Sequence, residues 1–313
     1  MSDPTFGYAI LNYALNMTGR ILRGLLPEGP KPAQTVSGGR LRFLGTAGFE
    51  LVSDAGEVVV LDPFLTRPGL LRSVFGRIPA NTQLLAREFS AVDAVLCGHS
   101  HHDHALDAPA LCQQTGATLV GSAATANLAR AAGLSQGQVV VVEQAAAADS
   151  SPQAALGAVE FGSVVASALP SAHGKAIFGR VPLPGDITEP PPWPPRMWDM
   201  KHGQVLLWHL DLGDVRVLHV DTAEWFPESL HDVSVDILLL CAVGRQYRQD
   251  YTRGIIEAVN PKVVIPCHWD DFTIPWGAAP RQLPGVKVSD FCAEITAAGA
   301  EPVVVGLGNR WSW

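Results

Sequence analysis

A chain of 313 residues with 47% apolar content can bury a sizeable core of its own, and no repeat of solenoid length runs through it. Its net charge of −8 argues against nucleic acid as a partner, because phosphate-backbone binding wants clustered Lys and Arg, and so against a nuclease. Five scattered cysteines without a CxxC pair suit a reducing compartment and exclude an obvious disulfide framework.

In chain order, the start Met1-Ser2-Asp3-Pro4 lacks a basic n-region, and Asn12 and Asn16 interrupt the apolar stretch behind it. A secretory signal is not expected, and a cytoplasmic location is. Residues 5–26 read as a helix that is apolar around more than half its circumference, too much for a free surface helix. Such a helix packs on the domain, pairs with a second subunit in a homo-oligomer, or rests on a membrane surface, where Arg20 and Arg23 would attract anionic lipid only weakly. Residues 1–38 are therefore set apart from a domain over 39–313.

Short apolar runs then predict strands at 41–44, 49–52, 58–61 and 92–97, followed by an alternation of helix 107–115, strand 118–121, helix 123–132 and strand 139–143. The second half repeats the theme, with strands at 159–168, 205–210, 215–220, 237–241, 263–266 and 303–305 and helices near 248–259 and 288–298. Strands in two groups with interleaved helices predict an α/β fold of two sheets covered by helices on both outer faces. Cys97, Cys241 and Cys267 fall in strand runs and read as core residues.

The motif Gly98-His99-Ser100-His101-His102-Asp103-His104 follows the apolar run 92–97, so its donors leave a strand end together. Imidazole and carboxylate donors suit Zn, Fe or Mn, whereas Mg or Ca would want more oxygen. His99 and His101 can face one way on an extended loop, and Asp103 and His104 must then point elsewhere, which implies two adjacent metal positions. The competing reading is a solvated polar loop. His102 is a neighbour, not a ligand. His268, after the strand-like run 263–267, is a further ligand candidate. His173 and His202 compete for another position, His209 reads as strand-embedded, and His219 and His231 as structural or exposed. Asp62 and Asp107 are candidates either to orient ligand imidazoles or to cap turns and helices.

On these residues, together with the opening 41–49, the Leu61-Asp62-Pro63-Phe64 turn and the histidine-bearing strand ends, the chain resembles the metallo-β-lactamase superfamily from Arg40 to Trp313. The resemblance implies a four-layer αββα sandwich and a dinuclear site. His99, His101 and His173 would hold the first of two divalent ions, Asp103, His104 and His268 the second, with Asp221 bridging them. Zinc is the expected metal, with Mn or Fe as alternatives. One departure is Val220, where the family carries glycine, so the local turn is expected to differ. Asp221 is preferred to Asp211 and Asp214 because it ends a strand-like run that those two flank at its start.

The motif start looks closest to the branch with sugar-lactone hydrolases and N-acyl-phosphatidylethanolamine phospholipase D. This implies a hydrolase in which a metal-bridging hydroxide attacks a phosphodiester or a lactone or ester bond of a partly apolar small molecule or lipid. Asp103 and Asp221 would be its catalytic carboxylates, Asp103 also relaying a proton. Lys175, Arg180 and Tyr247 are candidates to steady a substrate anion. The alternatives are a diiron redox protein and a non-catalytic metal-binding or scaffold protein. The Pro- and Trp-rich stretch 175–203 cannot pair regularly, and reads as an ordered flap lining the substrate pocket or as a structural belt. Trp193 and Trp198 within it, with Trp225, Trp269 and Trp276, predict an aromatic pocket.

Overall fold

The computed structural model describes residues 40–142 and 156–313, and the expected N-terminal helix over 5–26 lies outside them. Two seven-stranded mixed sheets face each other. The first contains β1 (Arg40–Gly45), β2 (Gly48–Val52), β3 (Val58–Leu61), β4 (Ala94–Leu96), β5 (Thr118–Gly121) and β6 (Val139–Val141), with β14 (Arg310–Ser312) paired on its β1 edge. The second runs in order from β13 (Glu301–Pro302) through β12 (Val263–Cys267), β11 (Ile237–Cys241), β10 (Arg216–Val220), β9 (Val205–Asp211) and β8 (Val164–Ser171) to β7 (Gly157–Phe161).

Side-chain alternation explains the layering. Along β3 and β4, Val59, Leu61, Ala94 and Leu96 join the core shared with the second sheet, whereas Val60 and Val95 join a separate core with Leu85, Leu111 and Leu128 of the covering helices. Helices Thr82–Glu88, Ala108–Thr115 and Ala123–Ala131 thus cover the first sheet. On the other side, Tyr251–Val259 buries Tyr251, Ile255, Ile256 and Val259 along one face, as its helical periodicity requires, and packs on Val288–Ala297. This is the αββα sandwich expected from the sequence.

Three local expectations need correction. The single strand at 159–168 is a hairpin, β7 and β8, turned at Gly162 with φ 59°. The strand expected at 303–305 lies two residues earlier, at Glu301–Pro302. Helices Leu70–Phe75 and Thr82–Glu88 have no counterpart in the sequence reading; each is two turns or fewer, too short to display an apolar period.

β3 to β6 run parallel to one another, as do β10 to β13, so the ends of β3, β4, β10 and β12 and the chain leaving β8 open on one edge of the sandwich. Asp62, Gly98, Asp221, His268 and His173 follow those ends.

Candidate metal centre

β4 releases the chain at Gly98, whose N–H donates to Asp62 Oδ1 at 2.7 Å and whose carbonyl accepts from Leu206 N at 2.8 Å. His99 follows in a bend and His101 on extended backbone. A short helix, His102–Ala105, then turns Asp103 and His104 away from them, with His104 N donating to His101 O at 3.0 Å. One motif therefore serves two directions.

The structure gathers all seven predicted donors. Three overlapping triads have their donor atoms within 4.8 Å of one another: His99, His101 and His173; His99, His104 and Asp221; and Asp103, His104 and His268. His99 Nε2 lies 2.9 Å from His101 Nδ1, and His99 Nδ1 lies 2.6 Å from Asp221 Oδ2. Donors on a tetrahedral zinc with bonds near 2.0 Å stand about 3.3 Å apart, so this spacing is close to that of a coordination shell. Asp103 Oδ2 is 3.4 Å from His268 Nε2 and 3.8 Å from His104 Nε2.

Neighbours orient these rings. His104 Nδ1 lies 2.9 Å from Asp62 Oδ2, and His173 Nδ1 donates to Gly174 O at 2.7 Å, which leaves each Nε2 directed at the centre. Asp62 thus takes the orienting role proposed for it. Asp107 does not: its Oδ2 accepts from Leu65 N at 2.7 Å and Thr66 N at 2.8 Å, and Oδ1 takes the Thr66 hydroxyl, so it pins the loop after β3. Burial drives its carboxyl up to about 6.

His202 is excluded from the triads, although its ring centroid lies 5.7 Å from that of His173. Its Nδ1 donates to Gly203 O at 2.5 Å and its Nε2 accepts from Gly185 N at 3.4 Å. His209 sits in β9 against Ser234 O, His219 is buried with Nε2 2.8 Å from Ala47 O, and His231 is exposed beside Asp232. His102 packs edge-on against Phe64 and belongs to no triad. Asp211 and Asp214 lie away from the centre, Asp214 accepting from Trp313 Nε1 at 3.0 Å, whereas Asp221 is fully buried.

Val220 raises no difficulty. It ends β10 with ordinary backbone angles, and the glycine the site needs stands elsewhere: a Cβ on Gly98 would lie 2.2 Å from Asp221 Oδ2. Sequence reasoning also missed a buried brace. Arg67 Nη2 donates to Asp270 Oδ2 at 2.7 Å, Asp270 Oδ1 accepts from Thr46 N at 2.7 Å, and Thr46 O accepts from His268 N. Thr46, Asp62, Arg67 and His268 all have positive φ, so the packed surroundings hold the ligand loops in sparsely populated conformations.

The cavity over the centre encloses about 150 Å³. Its remaining walls are largely apolar, with Leu70 and Val74, then Ile177, Leu183 and Met197 of the 175–203 stretch, and Phe272. The expected tryptophans do not line it: Trp225 and Trp269 are buried in the core, Trp193 and Trp276 pack on the helix-covered core, and Trp198 is exposed. Lys175, Arg180 and Tyr247 are also absent from its walls.

The donor chemistry fits metal ions. Asp62, Asp103 and Asp221 are three buried carboxylates, and among the described residues no Lys or Arg lines the cavity to balance them. Burial lowers His99, His101 and His104 well below the usual imidazole range, which keeps them neutral with a lone pair to donate. Asp221 Oδ1 and His268 Nδ1 are buried without a hydrogen-bond partner.

A profile described as the Beta-lactamase superfamily domain matches residues 40–268, which include β1 to β12 and every candidate donor. The chain belongs to the metallo-β-lactamase superfamily. Among relatives of this superfamily member, a UPF0173 metal-dependent hydrolase of Carboxydothermus hydrogenoformans is 26% identical over 75% of this chain and 86% of its own. A second, from Symbiobacterium thermophilum, is 24% identical over 87% of this chain and 99% of its own. Igni18, a metallo hydrolase from Ignicoccus hospitalis, shares the fold with a TM-score of 0.57 at 16% identity, covering 87% of this chain and 97% of that one. CmlA, a diiron β-hydroxylase from Streptomyces venezuelae, matches with a TM-score of 0.54 at 16% identity over 89% of this chain, which spans 54% of that longer protein.

Proposed function

We propose that this metal-dependent hydrolase binds two divalent ions and cleaves a phosphodiester, ester or lactone bond in a partly apolar small molecule or lipid. His99, His101 and His173 would hold one ion, Asp103, His104 and His268 the other, and Asp221 would lie between them. The observation that carries the reading is the overlap of the three donor triads at the floor of a cavity with buried carboxylates and, among the described residues, no lysine or arginine on its walls. Five imidazoles against two carboxylates favour zinc over a diiron redox centre. When bound, the ions supply Lewis-acid polarisation and a water acidified towards neutrality, which yields a hydroxide nucleophile.

The chain's own residues divide the remaining work. Asp62 fixes the His104 ring, and the Arg67–Asp270–Thr46 brace fixes the backbone of His268. Asp103 lines the cavity and can carry a proton at a carboxylate oxygen to the departing group. Leu70, Val74, Ile177, Leu183 and Met197 exclude water and accept the apolar part of a substrate. Among the described residues no helix is long and apolar enough to cross a membrane, and all five thiols are free, which supports the cytoplasm as the site of action.

Metal-reconstituted protein screened against phosphodiesters, esters, lactones, thioesters and amides tests the proposal. Hydrolysis of one class, abolished by chelation and restored by zinc, is expected. Hydrolysis that persists in thoroughly chelated protein would overturn it.

A further inference from the structure

Of the six large apolar side chains left exposed among the described residues, Val141 and Tyr247 do not line the cavity and the other four lie close to residues that do. Leu71 (75% exposed), Phe75 (64%), Phe178 (59%) and Trp198 (38%) all lie on segments that wall the cavity. On helix Leu70–Phe75, Leu70, Ser73 and Val74 line the cavity, whereas Leu71 and Phe75, four residues apart and so on one stripe, point outward. Phe178 follows the wall residue Ile177, and Trp198 follows the wall residue Met197. The segments join: Ile78 N donates to Pro195 O at 2.8 Å and Arg77 Nη1 to Pro194 O at 2.6 Å. The exposed apolar groups therefore stand on segments that also supply the cavity walls, two of them joined by these bonds.

The charge of these segments runs against that of the whole chain. Residues 69–78 and 175–201 carry Arg72, Arg77, Lys175, Arg180, Arg196 and Lys201 against Asp186, Glu189 and Asp199, a net +3 in a chain of net −8. All six basic side chains are exposed, and none makes an ion pair among the described residues, whereas Arg42, Arg67, Arg245 and Arg248 elsewhere do. Exposed leucine and aromatics interleaved with unpaired cations match a surface that seats its apolar groups at the acyl boundary and its cations among anionic headgroups.

We infer that the cavity rim docks on an anionic lipid surface and that the cavity draws an amphiphile from it, an inference that rests on the cavity being the substrate site. Full-length protein is floated with vesicles of phosphatidylcholine alone and of phosphatidylcholine mixed with phosphatidylglycerol. Binding to the mixed vesicles, weakened by salt, is expected. Leu71→Ser with Phe75→Ser should lower partitioning about tenfold or more, since two large apolar groups lose their burial. Arg72→Glu with Arg180→Glu should remove the preference for phosphatidylglycerol, and it decides the matter by itself if the first variant fails to fold.

Absence of vesicle binding, or binding undiminished in both variants, would overturn the inference. So would a dimer in sedimentation that the Leu71→Ser, Phe75→Ser variant disperses, because the rim would then face a second copy of the chain. Flotation needs no turnover. An enzyme that cleaves soluble esters without binding vesicles refutes the docking surface alone, and one that binds vesicles without hydrolysing anything refutes only the proposed function.

Discussion

Gly98 and Asp221 come from loops more than a hundred residues apart, yet neither works without the other: the space a Cβ on Gly98 would take is filled by the carboxylate. Asp221→Ala should remove at least one ion and most activity, while Asp211→Ala and Asp214→Ala leave metal content near normal, as read by elemental analysis. The reverse pattern would mean that the bridge is misassigned. Four of the donors were legible because they stand within six residues of one another after a strand, a spacing that holds before any folding is known. Gly98 was not, since its requirement arises from a distant side chain. Asp107 makes a second prediction at this scale. Its folded-state pKa, about 6, lies above the usual 3.8, so its contribution to stability is complete below pH 3.8 and is lost as pH rises towards 6. Wild type should lose roughly 1.4 kcal/mol per pH unit over that window relative to Asp107→Asn in chemical denaturation. Parallel pH profiles for the two proteins would remove Asp107 as the cause.

Among the elements, strands in the two central blocks were readable because burial on both faces demands unbroken apolar runs, as in Ile237–Cys241. The prolines and apolar content of the stretch 175–203 left a flap and a structural belt both open, and did not say which of its side chains reach the cavity. Tryptophan size suggested ligand contact, whereas the packing places Trp193 against the helix-covered core and leaves the walls to Ile177, Leu183 and Met197. Which face of an irregular segment turns inward depends on its anchors, here Asn127 Nδ2 donating to Ile187 O at 2.6 Å and Ser100 N donating to His202 O at 3.0 Å, and no period in the sequence reports them. Ile177→Ala with Leu183→Ala should therefore lower kcat/KM roughly tenfold for a long-chain ester and change that for a short activated ester far less. Metal content should not change. Equal losses on both substrates would make the stretch a structural support.

Across the whole molecule, the metal centre closes the open edge of the sandwich, because its donors follow β4 in one sheet and β8, β10 and β12 in the other. Without cations, that edge holds Asp62, Asp103 and Asp221 out of water with no lysine or arginine of the described residues on the cavity walls, an arrangement that opposes folding. Ions that bind the folded chain and not the unfolded one then stabilise both sheets together, by about 2.7 kcal/mol for each site at a free concentration a hundredfold above its Kd. Elemental analysis after zinc reconstitution should give about two ions per chain, and thermal melting should show one cooperative transition that chelation moves several degrees lower. Asp221→Ala should blunt this shift if its carboxylate is shared as proposed, whereas a variant remote from the edge, such as Asp214→Ala, should keep it in full. A stoichiometry that stays below one, or a melting temperature indifferent to chelation in protein shown to have carried zinc, would mean that the donors do not form the shared centre their spacing describes.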